Sequence, residues 1–105
     1  MGLTIHWTDF SKNELQNIFF YYTNKANIRV ATEITEGIVN ETDVLENNPY
    51  IGQIEESLIS NEKEFRHLIY SNYKIIYWIN LDKNQIEIWD VFDCRQELLK
   101  IKRTK

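Results

Sequence analysis

The first apolar pattern in the chain is an alternation. Leu3, Ile5 and Trp7 alternate with Thr4, His6 and Thr8, the period of two of a strand with one buried face. Over residues 9–24 the spacing changes: Leu15, Ile18, Phe19 and Tyr22 recur at three- and four-residue intervals and share one helix face. Two starts compete for this helix. Thr8 can be the N-cap with Asp9 at the positive helix end, or Ser11 can cap with Glu14 completing a capping box and Phe10 stapling to Leu15. Asn24 to Asn27 interrupt the pattern, and either asparagine can cap a second helix. There Ala31, Ile34, Ile38 and Leu45 keep helical spacing, with Thr35 and Thr42 on the same flank. Glu33, Glu36, Glu41, Asp43 and Glu46 fall mostly on the other flanks. This amphipathic helix of about five turns ends before Asn47-Asn48-Pro49, where proline forbids continuation. So few residues join the two helices that an antiparallel hairpin is expected.

Residues 50–64 carry Gly52 and a scatter of Glu55, Glu56, Glu62 and Glu64, and read as a surface loop. Strand character follows. Residues 65–70, 73–79 and 85–92 are rich in Ile, Tyr, Trp and Val and are separated by the turn signals Ser71-Asn72 and Asp82-Lys83-Asn84. Three strands with tight turns make an antiparallel meander, one face open and the other covered by the helices. The N-terminal strand completes the sheet as an edge. The order β-α-α-β-β-β defines an α+β fold of two layers, an antiparallel sheet packed on a helical hairpin.

At 105 residues the chain fits one domain, residues 1–105, with 98–105 as a basic C-terminal tail. Fourteen aromatics among many Ile and Leu exclude disorder. A single cysteine, Cys94, excludes a disulfide scaffold and fits a reducing, cytoplasmic setting. The N-terminus shows no secretory signal, and no apolar run approaches the ~20 residues of a membrane span. A net charge of −4 argues against nucleic acid as a partner, but the average hides a split. Residues 1–64 carry four basic and eleven acidic residues, a net −7; residues 65–105 carry eight and five, a net +3. An anionic partner would meet the C-terminal half.

Several strings then carry a resemblance over about residues 3–97: Trp7-Thr8 before a helix, Asn48-Pro49-Tyr50-Ile51-Gly52 after the second helix, and Arg66-His67-Leu68. Asn72-Tyr73-Lys74-Ile75-Ile76-Tyr77 and Val91-Phe92-Asp93-Cys94-Arg95-Gln96 complete the order. In order and spacing the chain resembles the RelE/ParE superfamily of bacterial toxins from type II toxin–antitoxin modules. The resemblance implies a small cytoplasmic protein of the plasmid-stabilization kind that inhibits growth when free. It would be held inactive in a hetero-oligomer with its cognate antitoxin. RelE-type members cut mRNA on the ribosome, whereas ParE-type members inhibit DNA gyrase by binding it; a folded but inactive relative, kept as an antitoxin-binding module, is the third reading.

Under the nuclease branch, metal-independent cleavage needs proton transfer and cations around the phosphate, with no cofactor. Lys74 and Arg95 match basic positions of that branch, and Arg66 lies where further basic residues of the first meander strand occur. A cluster of Arg66, Lys74 and Arg95 is the resulting expectation, with His67 or Asp93 moving protons. Against it, nucleases of this type often carry a tyrosine or histidine shortly after the final arginine. After Arg95 this chain has neither. That departure and the acidic first half tip the reading toward the ParE branch. Each residue also has a structural reading: Arg66 and Arg95 pairing with Asp93, Asp90 or Glu64, Lys74 and His67 as solvated strand residues, and His6 and Cys94 as structural positions. Trp78 and Trp89 have the parity opposite to Tyr73-Ile75-Tyr77-Ile79 and Ile86-Ile88. They are therefore either core or antitoxin-contacting anchors. The tail from Lys100 holds four cations in six residues and reads as a frayed end or a contact for an anionic partner. The open face, the edge strand at residues 3–7 and a groove beside the helices suit an antitoxin that binds by strand addition or as a helix.

Overall fold

The computed structural model describes residues 2–58 and 62–104. Strand β1 (Thr4–Trp7) leads into helix α1 (Asp9–Lys25), and α2 (Ile28–Thr42) continues as a 3-10 turn over Asp43–Glu46. A two-residue strand β2 (Gln53–Ile54) and a 3-10 turn (Glu56–Leu58) precede the meander of β3 (Phe65–Tyr70), β4 (Tyr73–Asn80) and β5 (Gln85–Asp93). The chain closes in a run of short helical turns from Cys94, of which Glu97–Lys100 is α3, to Thr104.

The competition for the start of α1 is settled by Thr8, whose side chain accepts from the Ser11 backbone N–H at 3.2 Å. Ser11 is a buried tie instead, its hydroxyl donating to the Ile88 carbonyl of β5 at 2.8 Å. Asn27 caps α2, its side chain accepting from Val30 N–H at 2.9 Å. Ala31, Ile38, Thr42 and Leu45 are buried along the second helix and its extension, the flank the spacing selects.

The sheet order is β1-β5-β4-β3-β2. The meander is antiparallel, but β1 runs parallel to β5, with Trp7 beside Ile88. The sheet is therefore mixed rather than wholly antiparallel, because the helical hairpin lies between β1 and the meander and returns the chain in the same direction. The stretch read as a surface loop supplies the fifth strand: Gln53 and Ile54 pair with His67 and Arg66. On the helix-facing side Ile38, Leu45, Tyr73, Ile75, Tyr77, Ile86, Ile88 and Val91 form one core.

The other side of the sheet is not open. Leu58, Phe65, Ile76, Phe92 and Ile101 form a second cluster there, with Trp78 and Trp89 packed against it. A bulge makes this possible: Ile76 faces Asp90, yet the next residue, Tyr77, faces Ile88, so Trp89 is the extra residue of β5. Ile88 and Val91 then both reach the helix side, while Trp89 and Phe92 reach the other. The basic tail is likewise folded rather than frayed through Thr104, and Lys105 lies outside the described residues. Its anchor is Arg103, which grips the fully buried Asp90 at 2.7 and 2.9 Å and Glu14 of α1 at 3.0 Å.

Candidate functional site

Strand alternation separates the basic residues of the meander. Lys74 sits between Ile69 and Phe92 in register and shares the second face with Ile76, whereas Arg66 lies opposite Tyr77, whose ring belongs to the helix-side core. A lysine on that covered face must find anions, and Lys74 is only 7% exposed. Its ammonium donates to Glu55 Oε1 and pairs with Glu97 Oε1, each at 2.9 Å. Burial alone would lower the Lys74 pKa, but hydrogen bonds to Glu97 and Glu55 outweigh it and hold the pKa above its ordinary value. Glu55, 4% exposed, is pushed up by burial and pulled further down by Lys74, so its carboxyl titrates below the usual range.

His67 completes the group. Its Nδ1 lies 2.8 Å from Glu55 Oε1, off the line of a well-formed hydrogen bond. At that separation from a carboxylate oxygen Nδ1 must carry the proton, which leaves the lone pair of the neutral ring on Nε2. Burial, then the Lys74 charge, lower the His67 pKa, and Glu55 opposes them without prevailing. The imidazole is therefore neutral at pH 7.

The expected cluster of Arg66, Lys74 and Arg95 does not form. Arg66 staples the segment before β2: its guanidinium donates to the carbonyls of Tyr50 at 3.2 Å and Gly52 at 2.8 Å, and to Glu64 at 2.8 Å. Tyr77 works beside it, accepting from Gly52 N–H at 3.0 Å and donating to the Pro49 carbonyl at 2.7 Å. Gly52 is required there, since a Cβ would stand 2.5 Å from the Tyr77 hydroxyl and 2.7 Å from the His67 carbonyl oxygen. The Pro49-Tyr50-Ile51-Gly52 string is thus a built structural clamp. Arg95 is exposed and clasps Asp93, which also accepts from Asn72 at 3.0 Å. Arg95 holds the Asp93 carboxyl down to about 2, so Asp93 is a fixed anion rather than a proton carrier at neutral pH. Arg95 borders a separate cleft of about 270 Å³ on the α1 side, with Tyr21, Tyr73 and Lys100.

Trp78 and Trp89 both lie on the second face, half-buried. Trp89 packs edge-on against Phe65 and donates its indole N–H to Glu87 at 3.0 Å, while the Lys63 ammonium stands 5.0 Å above Trp78 and 5.7 Å above Trp89. Glu55 and Glu97 are the participants that sequence reading missed. Parity set Lys74 opposite the Tyr73–Tyr77 row, but carboxylates are required there only because that face is covered. Among the described residues no group of three His, Cys, Asp or Glu side chains is arranged to hold a metal ion, and no helix is long and apolar enough to cross a membrane.

No protein-family model and no curated protein sequence matches the chain. Solved structures do. The chromosomal ParDE toxin–antitoxin system of P. aeruginosa aligns with a TM-score of 0.70 at 15% identity, covering 87% of this chain and 95% of that one. A free-state E. coli RelE toxin carrying two arginine-to-alanine substitutions aligns at 0.67 with 11% identity, covering 99% and 94%. The RelBE2 toxin–antitoxin complex of Mycobacterium tuberculosis aligns at 0.56 with 16% identity, covering 89% and 92%. Shared architecture at such identities carries the fold. The chain has the RelE/ParE toxin fold.

Proposed function

We propose that the chain is the toxin of a toxin–antitoxin module, a cytoplasmic protein that arrests growth by binding a protein target, DNA gyrase, and is neutralised by a cognate antitoxin. The similarity to the ParDE system of P. aeruginosa supports the toxin reading and the antitoxin partner. The observation that carries the choice of branch is the state of Lys74. The one basic residue of the matched set on the second sheet face is already neutralised by Glu55 and Glu97. Arg66 is committed to the Tyr50–Gly52 backbone, and Arg95 to Asp93. A phosphate approaching Lys74 would meet two carboxylates before it met a free cation, which is the reverse of what RNA cleavage requires.

The endonuclease reading has one observation in its favour: Glu55 and His67 stand 2.8 Å apart on the same face, a pairing suited to proton transfer. Expression of the chain without an antitoxin separates the two. The proposal expects arrested growth, intact messages and altered plasmid supercoiling. Cleaved messages, lost in a folded Lys74→Met variant, would overturn it.

A further inference from the structure

The bulge in β5 leaves two indoles side by side on the second sheet face. Trp78 is in register with Phe65 of β3 and Glu87 of β5, and Trp89 lies diagonally across from it. Both rings are seated against fixed neighbours. Trp89 meets Phe65 edge-on at 5.2 Å and donates its indole N–H to Glu87 at 3.0 Å, while the other Glu87 oxygen accepts from Asn80 at 2.8 Å. One cation stands against both rings. The Lys63 ammonium lies 5.0 Å from the Trp78 centre and 5.7 Å from the Trp89 centre, inside the ~6 Å over which a ring face attracts a cation. Among the described residues no carboxylate pairs with Lys63, although Glu62 and Glu64 flank it in sequence. Glu64 is engaged by Arg66 instead, and Glu87 by Trp89 and Asn80. The ring faces are thus what holds the Lys63 charge.

Lys63 sits outside the helices and strands, so its side chain can leave the indoles without breaking a ladder bond. Charge decides what could replace it. A cleft of about 280 Å³ beside Lys63 is lined by Glu55, Glu62 and Glu64, and Glu64 also borders a cleft of about 200 Å³ at Trp78 with Tyr50 and Leu81. An anion would meet carboxylates from either side, whereas a cation is drawn in. A guanidinium suits two ring faces better than an ammonium, because it is flat, more weakly hydrated and stacks on aromatic rings. The molecule uses that pairing elsewhere: Arg66 lies 5.1 Å from the Tyr50 ring centre and Arg103 lies 5.0 Å from that of Phe10. We propose that Trp78 and Trp89 form a binding subsite for an arginine side chain of a partner protein. Lys63 occupies the subsite in the free chain and yields it when the partner binds.

Titrating the full chain with a blocked Gly-Arg-Gly peptide, and with its lysine and citrulline counterparts, tests this through the indole N–H resonances of Trp78 and Trp89. The arginine peptide should shift both resonances saturably and bind at least about fivefold more tightly than the uncharged citrulline peptide, with lysine between them. Lys63→Ala vacates the subsite and should tighten arginine binding severalfold, while Lys63→Arg supplies a better occupant and should weaken it. Trp78→Leu should abolish binding; if that variant does not fold, the opposed effects of the two Lys63 variants still decide. Equal affinity for the arginine and citrulline peptides would overturn the proposal, as would affinity indifferent to Lys63→Ala and Lys63→Arg, or shifts confined to Trp7. Self-association that seats the exposed Arg29 of a second copy on the indoles, and is lost in Arg29→Ala, would overturn it too. Growth plays no part in these readouts, so the toxin reading and this one fail separately.

Discussion

Lys74 shows how one buried charge organises a face. Removing it by Lys74→Ala leaves Glu55 buried with a neutral imidazole and the Ser57 N–H but no cation beside it, and should cost about 3 kcal/mol in urea unfolding. The double variant Glu55→Gln/Lys74→Met should recover much of that loss, since the buried Glu55 charge goes with its partner and the carboxylate left unpaired, Glu97, is the more exposed of the two. His67 sets a pH dependence on the same face. Its pKa is lower folded than unfolded, so between the folded value and about 6.5 the unfolded chain binds more protons. Stability should therefore decline as pH falls below about 6.5, and His67→Gln should flatten that decline in melts between about pH 5 and 8. Glu55 and Asp93, both lowered, add a further loss in stronger acid, as the pH falls from their unfolded values through the folded ones.

At the scale of elements, the C-terminal turns act as a strap over the second sheet face. Ile101 fills the cluster of Leu58, Phe65, Ile76 and Phe92, Glu97 pairs with Lys74, and Arg103 holds Asp90. Burial raises the Asp90 pKa and Arg103 restrains it without cancelling the effect. Ionised Asp90 thus favours unfolding, and its penalty grows as pH rises from the unfolded value through the folded one. Arg103→Ala raises that folded value further. It should cost about 3 kcal/mol at neutral pH and progressively less on acidification, read as the unfolding free energy at several pH values. Ile101→Ala should cost about 2 kcal/mol without that pH dependence. The elements themselves were legible unevenly. The helix faces and the three meander strands follow from apolar period and turn residues. β2 does not, because two residues have no period, and the parallel pairing of β1 does not, because alternation identifies a strand without its neighbour. The strap hid behind its own composition: a run of cations reads as solvent-exposed until Asp90 and Glu14 are seen around Arg103.

For the whole molecule, the acidic first half and basic second half do not meet separate partners as simply as the sequence suggests. Lys74 of the second half is neutralised by Glu55 of the first, and Arg103 by Glu14. The candidate residues were legible as names but not as a site, since their grouping depends on strand parity and on carboxylates distant in sequence. Arg66 and Arg95 gained structural partners, and Lys74 and His67 gained Glu55. That distribution suits protein contacts better than a bound RNA backbone. Messages and plasmid topology followed together in cells that express the chain without a partner test this most directly. Arrested growth with full-length messages and shifted plasmid supercoiling is the predicted result; cleavage of translated messages at unchanged supercoiling would contradict it.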